Sequence, residues 1–95
     1  MTLPKSIRMA GHTIEVAVDD SIPDFGNYDP DLLRIAIRPG PPHVMQQTLR
    51  HEMLHAALSL SGIAYIEKLP EEAIVRAMDT IFWPSCDALT TKRKK

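Results

Sequence analysis

The sequence predicts an α+β fold in which a small antiparallel β-sheet of two to four strands packs against two helices. Two short segments alternate apolar and polar residues, with the period of a half-buried strand. A longer segment, residues 43–60, contains no Gly or Pro and repeats its apolar residues with the period of a helix. Further on, Pro70-Glu71-Glu72 has the composition of a second helix start.

Length and charge narrow the classes of protein that this chain can represent. Its 95 residues suffice for one small domain and leave no room for a nucleotide-binding domain joined to a substrate domain. The net charge of −1 gives no overall field to hold nucleic acid or an anionic membrane, and no segment is long and apolar enough to span a bilayer. We therefore expect a cytoplasmic protein with one domain over residues 1–85 and a basic tail over 86–95.

The strands follow from alternation and from the turn residues between them. A short extended piece at Ile7–Met9 and a turn at Gly11-His12 precede a strand over Thr13–Asp19. Residues 19–31 are rich in Asp, Pro, Gly and Asn, which predicts a loop with a short strand near Asn27-Tyr28. Leu33–Ile37 alternates again, and the Pro-rich residues 39–42 end it.

The helices follow from their start and stop signals. Pro42 suits a first helical turn and Gly62 suits the left-handed position after a helix, which predicts a helix over residues 42–61. Residues 62–69 are predicted to form a connection, in which Tyr65 is either a partly buried tyrosine or a donor to an oxyanion. The second helix runs from Pro70 to about Trp83, because Pro84 cannot continue it. Its apolar face consists of Ile74, Val75, Met78, Ile81 and Phe82.

The first helix carries the spacing of a metal site, His51-Glu52-x-x-His55. Residues four apart lie about 40° apart around a helix, so both imidazoles can reach one ion. Glu52 lies about 100° from His51, beside such an ion, where a general base for a metal-activated water is needed. An alternative is that the two histidines only line the boundary of the core.

A catalytic zinc site needs a third protein ligand and an open position. The metzincin motif is excluded, because Ser61 occupies the position of its third histidine. The remaining candidates are Glu71 and Glu72 at the start of the second helix. Helical phase favours Glu71, whereas acidic residues in a first helical turn also stabilise the helix dipole without any metal.

The segments IRMAGHTIEV, LRIAIR, QTLRHEMLHAAL and EEAIVRAM together resemble small phage and prophage proteins with a minimal zincin-like domain. They are similar to the peptidase domains of the ImmA/IrrE and SprT-like groups, and the resemblance covers roughly residues 5–83. It implies a gluzincin-type site in which His51, His55 and Glu72 hold Zn²⁺ and Glu52 is the catalytic base. Glu72 is favoured because in such proteins the third ligand lies three residues before a valine, here Val75. The resemblance also implies a bacterial host cell.

We therefore expect a zinc-dependent metallopeptidase that acts on a peptide or protein substrate, with Leu33–Ile37 as an exposed edge strand for an extended peptide. The alternative is a non-catalytic zinc-binding module with a structural or regulatory role. A nucleic-acid binder that uses the basic tail is a third alternative, which the net charge disfavours.

Overall fold

The computed structural model describes residues 3–62 and 70–93, and it has the predicted α+β class. Four strands form one sheet: β1 (Ser6–Met9), β2 (His12–Val18), β3 (Gly26–Asp29) and β4 (Arg34–Ile37). Their order across the sheet is β1-β2-β4-β3. Helix α1 (Pro42–Ser61) packs on this sheet, and α2 (Glu71–Ala77) packs against α1.

The sheet is mixed, which corrects the prediction of an antiparallel one. β1 with β2 and β3 with β4 are antiparallel, but the central pair of β2 and β4 is parallel. Composition accounts for this order. In β4, Ile35, Ala36 and Ile37 are all buried, which suits an interior strand, whereas the polar β3 suits an edge. The prediction that Leu33–Ile37 is an exposed edge is therefore wrong, because β4 lies between two other strands.

Helix α1 has the bounds that its sequence predicts. Pro42 occupies the first turn, and Gly62 ends the helix in the left-handed conformation at a φ of 74°. The buried face of α1 includes Leu49 and Ala56, which pack on the sheet residues Ile14, Val16, Ile35 and Ile37. This apolar layer holds α1 against the sheet and so fixes the position of the histidines that the helix carries.

The second helical region continues beyond the predicted end at Trp83. A π-helical turn (Met78–Phe82) follows α2, and α3 (Trp83–Arg93) follows that turn. Pro84 lies in the first turn of α3, directly after the wider turn, where its missing N–H costs little. Residues 86–93 are therefore helical rather than a tail, and Ile81 and Phe82, expected on the apolar face, are 68% and 46% exposed.

Some predictions fall outside the residues that the structure describes. These are most of the connection after Gly62, residues 63–69, including Tyr65, and the side chains of the basic C-terminal residues. In the part of the chain that is described, no helix combines the length and the apolar character needed to cross a membrane.

Candidate metal centre

The two histidines of α1 point their ring nitrogens toward each other. The Nε2 atoms of His51 and His55 lie 3.2 Å apart, and their ring centroids lie 4.9 Å apart. Both side chains are partly exposed, His51 by 35% and His55 by 18%. The one-turn spacing in the sequence therefore places both imidazoles at one point on the helix surface, as predicted.

Each histidine contacts a carboxylate through its other nitrogen. Nδ1 of His51 lies 2.7 Å from Oδ2 of Asp79, and Nδ1 of His55 lies 2.6 Å from Oε1 of Glu71. An ionised carboxylate can only accept a hydrogen bond, so each Nδ1 carries the proton and donates it. In the neutral imidazoles, both Nε2 atoms are then left as acceptors.

Glu72 completes a group of three possible ligands. Its Oε1 lies 2.9 Å from Nε2 of His55, and ligand atoms of His51, His55 and Glu72 all lie within 4.8 Å of one another. These three residues are close enough to hold a metal ion. Glu72 is 70% exposed, so the group opens toward solvent.

The separations of these three ligand atoms can be compared with those around a bound metal ion. Two neutral acceptor nitrogens and a carboxylate oxygen converge, and such atoms repel one another unless a cation or a proton lies between them. Ligands about 2.0–2.1 Å from a tetrahedral ion are about 3.3 Å apart. Two of the observed separations, 3.2 and 2.9 Å, are near that value, and all three atoms lie within 4.8 Å, so the residues are close enough to hold a metal ion.

The structure separates the roles of the two candidate glutamates. Glu72 contacts the Nε2 side of His55, where a shared ion would bind, whereas Glu71 contacts Nδ1 on the far side of the same ring. Glu71 therefore orients a histidine, which explains why a carboxylate lies near the centre of the helix face. Carboxylates that accept from the second nitrogen of a ligating histidine fix its tautomer and raise its basicity.

Asp79 is a site residue that the sequence reasoning missed. It follows Glu72 by seven residues, which is nearly two turns of a helix, so both project from one side of the second helical region. This spacing is a signal that a search for residues in phase with Glu72 would have found. The contact with His51 gives Asp79 the same relation to His51 that Glu71 has to His55.

Glu52 lies beside the histidines and is buried, with only 7% of its surface exposed. Burial raises the pKa of the Glu52 carboxyl, an effect that the nearby His51 and His55 partly offset. A carboxylate with a raised pKa is a stronger base than an exposed one, and Glu52 also lines the cleft described below. The arrangement is compatible with the general base that the sequence predicts.

Gly26, at the start of β3, allows the sheet edge to approach the helix at this position. A Cβ atom on Gly26 would lie 2.5 Å from Cγ2 of Thr48 and 3.4 Å from Cγ of Glu52. Side chains do not approach so closely, so only glycine permits this spacing between β3 and α1. The short distance places the edge strand directly beside Glu52.

An open cleft of about 1230 Å³ extends over the candidate metal ligands. The edge strand β3 lines one side, the second helical region lines another, and α1 forms the base. Arg50, the residue before His51, lines the cleft together with Trp83 and Asp87 from α3. The volume exceeds the roughly 300–1,000 Å³ that is usual for a small-molecule pocket.

Comparison with known proteins found no matching family model, no similar curated protein and no similar solved structure.

Proposed function

We propose that this chain is a zinc-dependent metallopeptidase. In this proposal His51, His55 and Glu72 hold the zinc ion, and Glu52 is the general base for hydrolysis of a peptide bond. The observation that carries the proposal is the convergence of the three ligand atoms, with both histidines oriented from behind by carboxylates. A pair of histidines that only lined a core boundary would have no need of two oriented Nε2 atoms facing a third ligand.

Zinc, when bound, supplies a Lewis acid that polarises a scissile carbonyl and lowers the pKa of a water molecule to about 7. The chain supplies the other requirements. Glu52 accepts a proton at a carboxylate oxygen and returns it to the leaving amine, and its raised pKa suits both transfers. Asp79 and Glu71 accept from the Nδ1–H groups of the two imidazoles, which fixes their orientation and directs each Nε2 toward the ion.

The substrate strand predicted at Leu33–Ile37 is reassigned in this proposal to β3. This strand lies at the sheet edge, and Gly26, Asn27 and Tyr28 line the cleft. An extended peptide can add to such an edge through main-chain hydrogen bonds, which brings a peptide bond past Glu52 without dependence on side-chain identity. The close packing at Gly26 fixes the distance between that peptide and the base.

The test is a comparison of wild type with Glu52→Gln at saturating zinc. Glu52 lies beside the ligands rather than among them, so the variant should keep about one zinc per chain. Its rate of hydrolysis of an unfolded-protein or peptide-library substrate should fall by about 100- to 10,000-fold, because a positioned proton-transfer group usually accelerates a reaction by that factor. Metal content by mass spectrometry and cleavage rates in parallel provide both measurements.

Two outcomes would count against the enzyme. If wild type binds zinc but cleaves nothing across a broad library, the alternative of a non-catalytic zinc-binding module becomes the better proposal. If wild type and Glu52→Gln cleave equally, the assignment of Glu52 is wrong. If the purified protein does not bind zinc added at micromolar concentration, both the metallopeptidase proposal and the alternative of a zinc-binding module are contradicted.

A further inference from the structure

Arg50 forms a cationic site on the cleft wall, next in sequence to the candidate metal ligand His51. Its Nη1 and Nη2 atoms donate to the two carboxylate oxygens of Asp87, at 3.1 and 3.0 Å. The guanidinium also lies over the ring of Trp83, 4.9 Å from the centroid. Pairing through both nitrogens and stacking on an indole fix the plane of the guanidinium in the geometry that binds a carboxylate best.

Arg50 differs in charge from the rest of the cleft. Among the described residues that line it, Arg50 is the only lysine or arginine, whereas six are carboxylates. Glu71 and Asp79 accept hydrogen bonds from the histidines, and Glu72 faces the metal position. An anionic group of a ligand would therefore be attracted to Arg50 and repelled along most of the remaining lining.

Asp87 is the more exposed partner of this pair. Its side chain is 60% exposed and that of Arg50 is 27% exposed. Ion pairs at exposed positions contribute little, because water solvates the separated charges well. Asp87 also lies on α3, which packs mainly against the π-helical turn that it follows. A second carboxylate that entered the cleft would therefore compete with Asp87 at small cost.

We infer that Arg50 is a receptor for a carboxylate group of the peptide substrate, and that Asp87 is an intramolecular competitor for it. The identity of the ligand as a peptide rests on the proposed function, whereas the carboxylate binding itself does not. Arg50 adjoins His51, with Cα atoms about 3.8 Å apart, so the bound carboxylate would lie within a few residues of the scissile bond. It can come from the C-terminus of a peptide or from an acidic side chain.

The experiment uses fluorescence of Trp83, which is the only tryptophan of the chain and contacts Arg50. Three acetylated peptides of one neutral sequence are titrated into the full-length protein. The first has a free C-terminal carboxylate, the second is amidated, and the third is amidated and contains one glutamate. Each titration is run with zinc and again after removal of metal, so that binding to Arg50 is separated from ligation of the ion and from hydrolysis.

The variants are chosen so that charge and geometry are tested separately. Arg50→Gln should weaken binding of a carboxylate peptide by tenfold or more, because charge-assisted hydrogen bonds are lost. Asp87→Asn should tighten it by about two- to fivefold, because the competitor is removed. Asp24→Asn is the matched control, since Asp24 is another exposed carboxylate of the cleft that does not pair with Arg50.

Preference for the first peptide over the third identifies the C-terminus as the source of the carboxylate, and the reverse identifies an acidic side chain. Equal binding of all three peptides would overturn the inference, as would Asp87→Asn binding no more tightly than Asp24→Asn. If Arg50→Gln does not fold, the tighter peptide binding expected of Asp87→Asn still tests the inference, because a misfolded protein would not bind the peptide more tightly. If the wild-type protein binds the carboxylate peptides through Arg50 but does not hydrolyse any peptide, the proposed function is contradicted and this inference is not.

Discussion

His51 and His55 face each other through their Nε2 atoms at 3.2 Å, while their Nδ1 atoms are held from opposite sides by Asp79 and Glu71. These contacts bring the two rings together as one candidate site. Each ring is turned by its own carboxylate so that its Nε2 atom faces the same point in the cleft.

Glu72 should matter more than Glu71 for metal affinity. Glu72→Gln removes a ligand charge, whereas Glu71→Gln leaves an amide oxygen that still accepts from His55 Nδ1. Loss of a carboxylate that accepts from a ligating histidine typically lowers metal affinity by 10–100-fold. Glu71→Gln should therefore lower zinc affinity by about tenfold or less, and Glu72→Gln should lower it by clearly more than tenfold. A competition titration with a chelator gives the ranking, and the reverse order would refute the assignment.

Asp79 should act on the metal through His51. We expect Asp79→Ala to weaken zinc binding by roughly 10–100-fold, because His51 loses the acceptor that fixes its tautomer. Asp79→Asn should lose less, since its amide oxygen can still accept from Nδ1. Thr80→Ala, at the exposed neighbouring position, is the control and should leave affinity unchanged. If Asp79→Ala bound zinc as wild type does, the contact would have no role in the site.

Zinc should stabilise the fold as well as fill the site. The ligands come from α1 and α2, so an ion that binds only the folded state ties the two helices together. At about 100 times the dissociation constant this linkage adds about 2.7 kcal/mol to the free energy of unfolding. For a domain of this size the melting temperature should rise by roughly 10–20 °C. Thermal melts with zinc and with chelator test this, and His51→Ala should abolish the difference.

Gly26→Ala should destabilise the protein by about 1–3 kcal/mol, because its Cβ would overlap Thr48 and push β3 away from α1. Gly40→Ala is the matched control, since a Cβ there meets nothing within 4 Å. Thr48→Ser removes the methyl group that this Cβ would overlap, so the double variant Gly26→Ala/Thr48→Ser should recover part of the lost stability. Urea unfolding of wild type, the two glycine variants and the double variant measures these free energies. Equal stability of Gly26→Ala and Gly40→Ala would show that the close approach is unimportant.

The Arg50–Asp87 pair should make stability depend on pH in the acid range. The guanidinium holds the pKa of the Asp87 carboxyl below its ordinary value of 3.8. A carboxyl with a lowered pKa in the folded state contributes stability above its ordinary pKa and loses it as pH falls through the folded value. Because exposed ion pairs contribute little, the melting temperature of wild type should exceed that of Asp87→Asn by only a small margin at pH 6, and the difference should vanish in strong acid. Asp20→Asn, an exposed loop change of equal charge, should show no such loss.

Much of this fold is readable from local patterns. The bounds of α1, the left-handed Gly62 and the strand near Asn27 follow from period, proline and glycine positions, because those signals act within a few residues. The order of the strands does not follow in this way. It depends on which strand buries both faces, and alternation alone assigned β4 to an exposed edge.

The candidate site, too, could be predicted only in part from the sequence. His51, His55 and Glu52 share one helix, so their relation follows from sequence spacing. The choice between Glu71 and Glu72 depends on the distance and angle between two helices, which no local pattern specifies. In the structure the two glutamates contact different ring nitrogens of His55. Arg50 was missed because its ion-pair partner Asp87 lies beyond Pro84, which was predicted to end the helix.

The π-helical turn accommodates one residue more than an α-helical turn would. The N–H of Trp83 donates to the carbonyl of Met78, five residues earlier, rather than to a carbonyl four residues earlier. Deletion of one residue in a regular α-helix would rotate everything after it by about 100°. Deletion of one residue between Thr80 and Phe82 would instead restore α-helical spacing, and the shorter turn would make up for the missing residue. Trp83 and Asp87 would then stay on the side of Arg50, and the candidate metal ligands and Asp79, which precede the deletion, would keep their places. Loss of one residue at this turn should therefore leave both the Arg50 pair and the candidate metal centre in place.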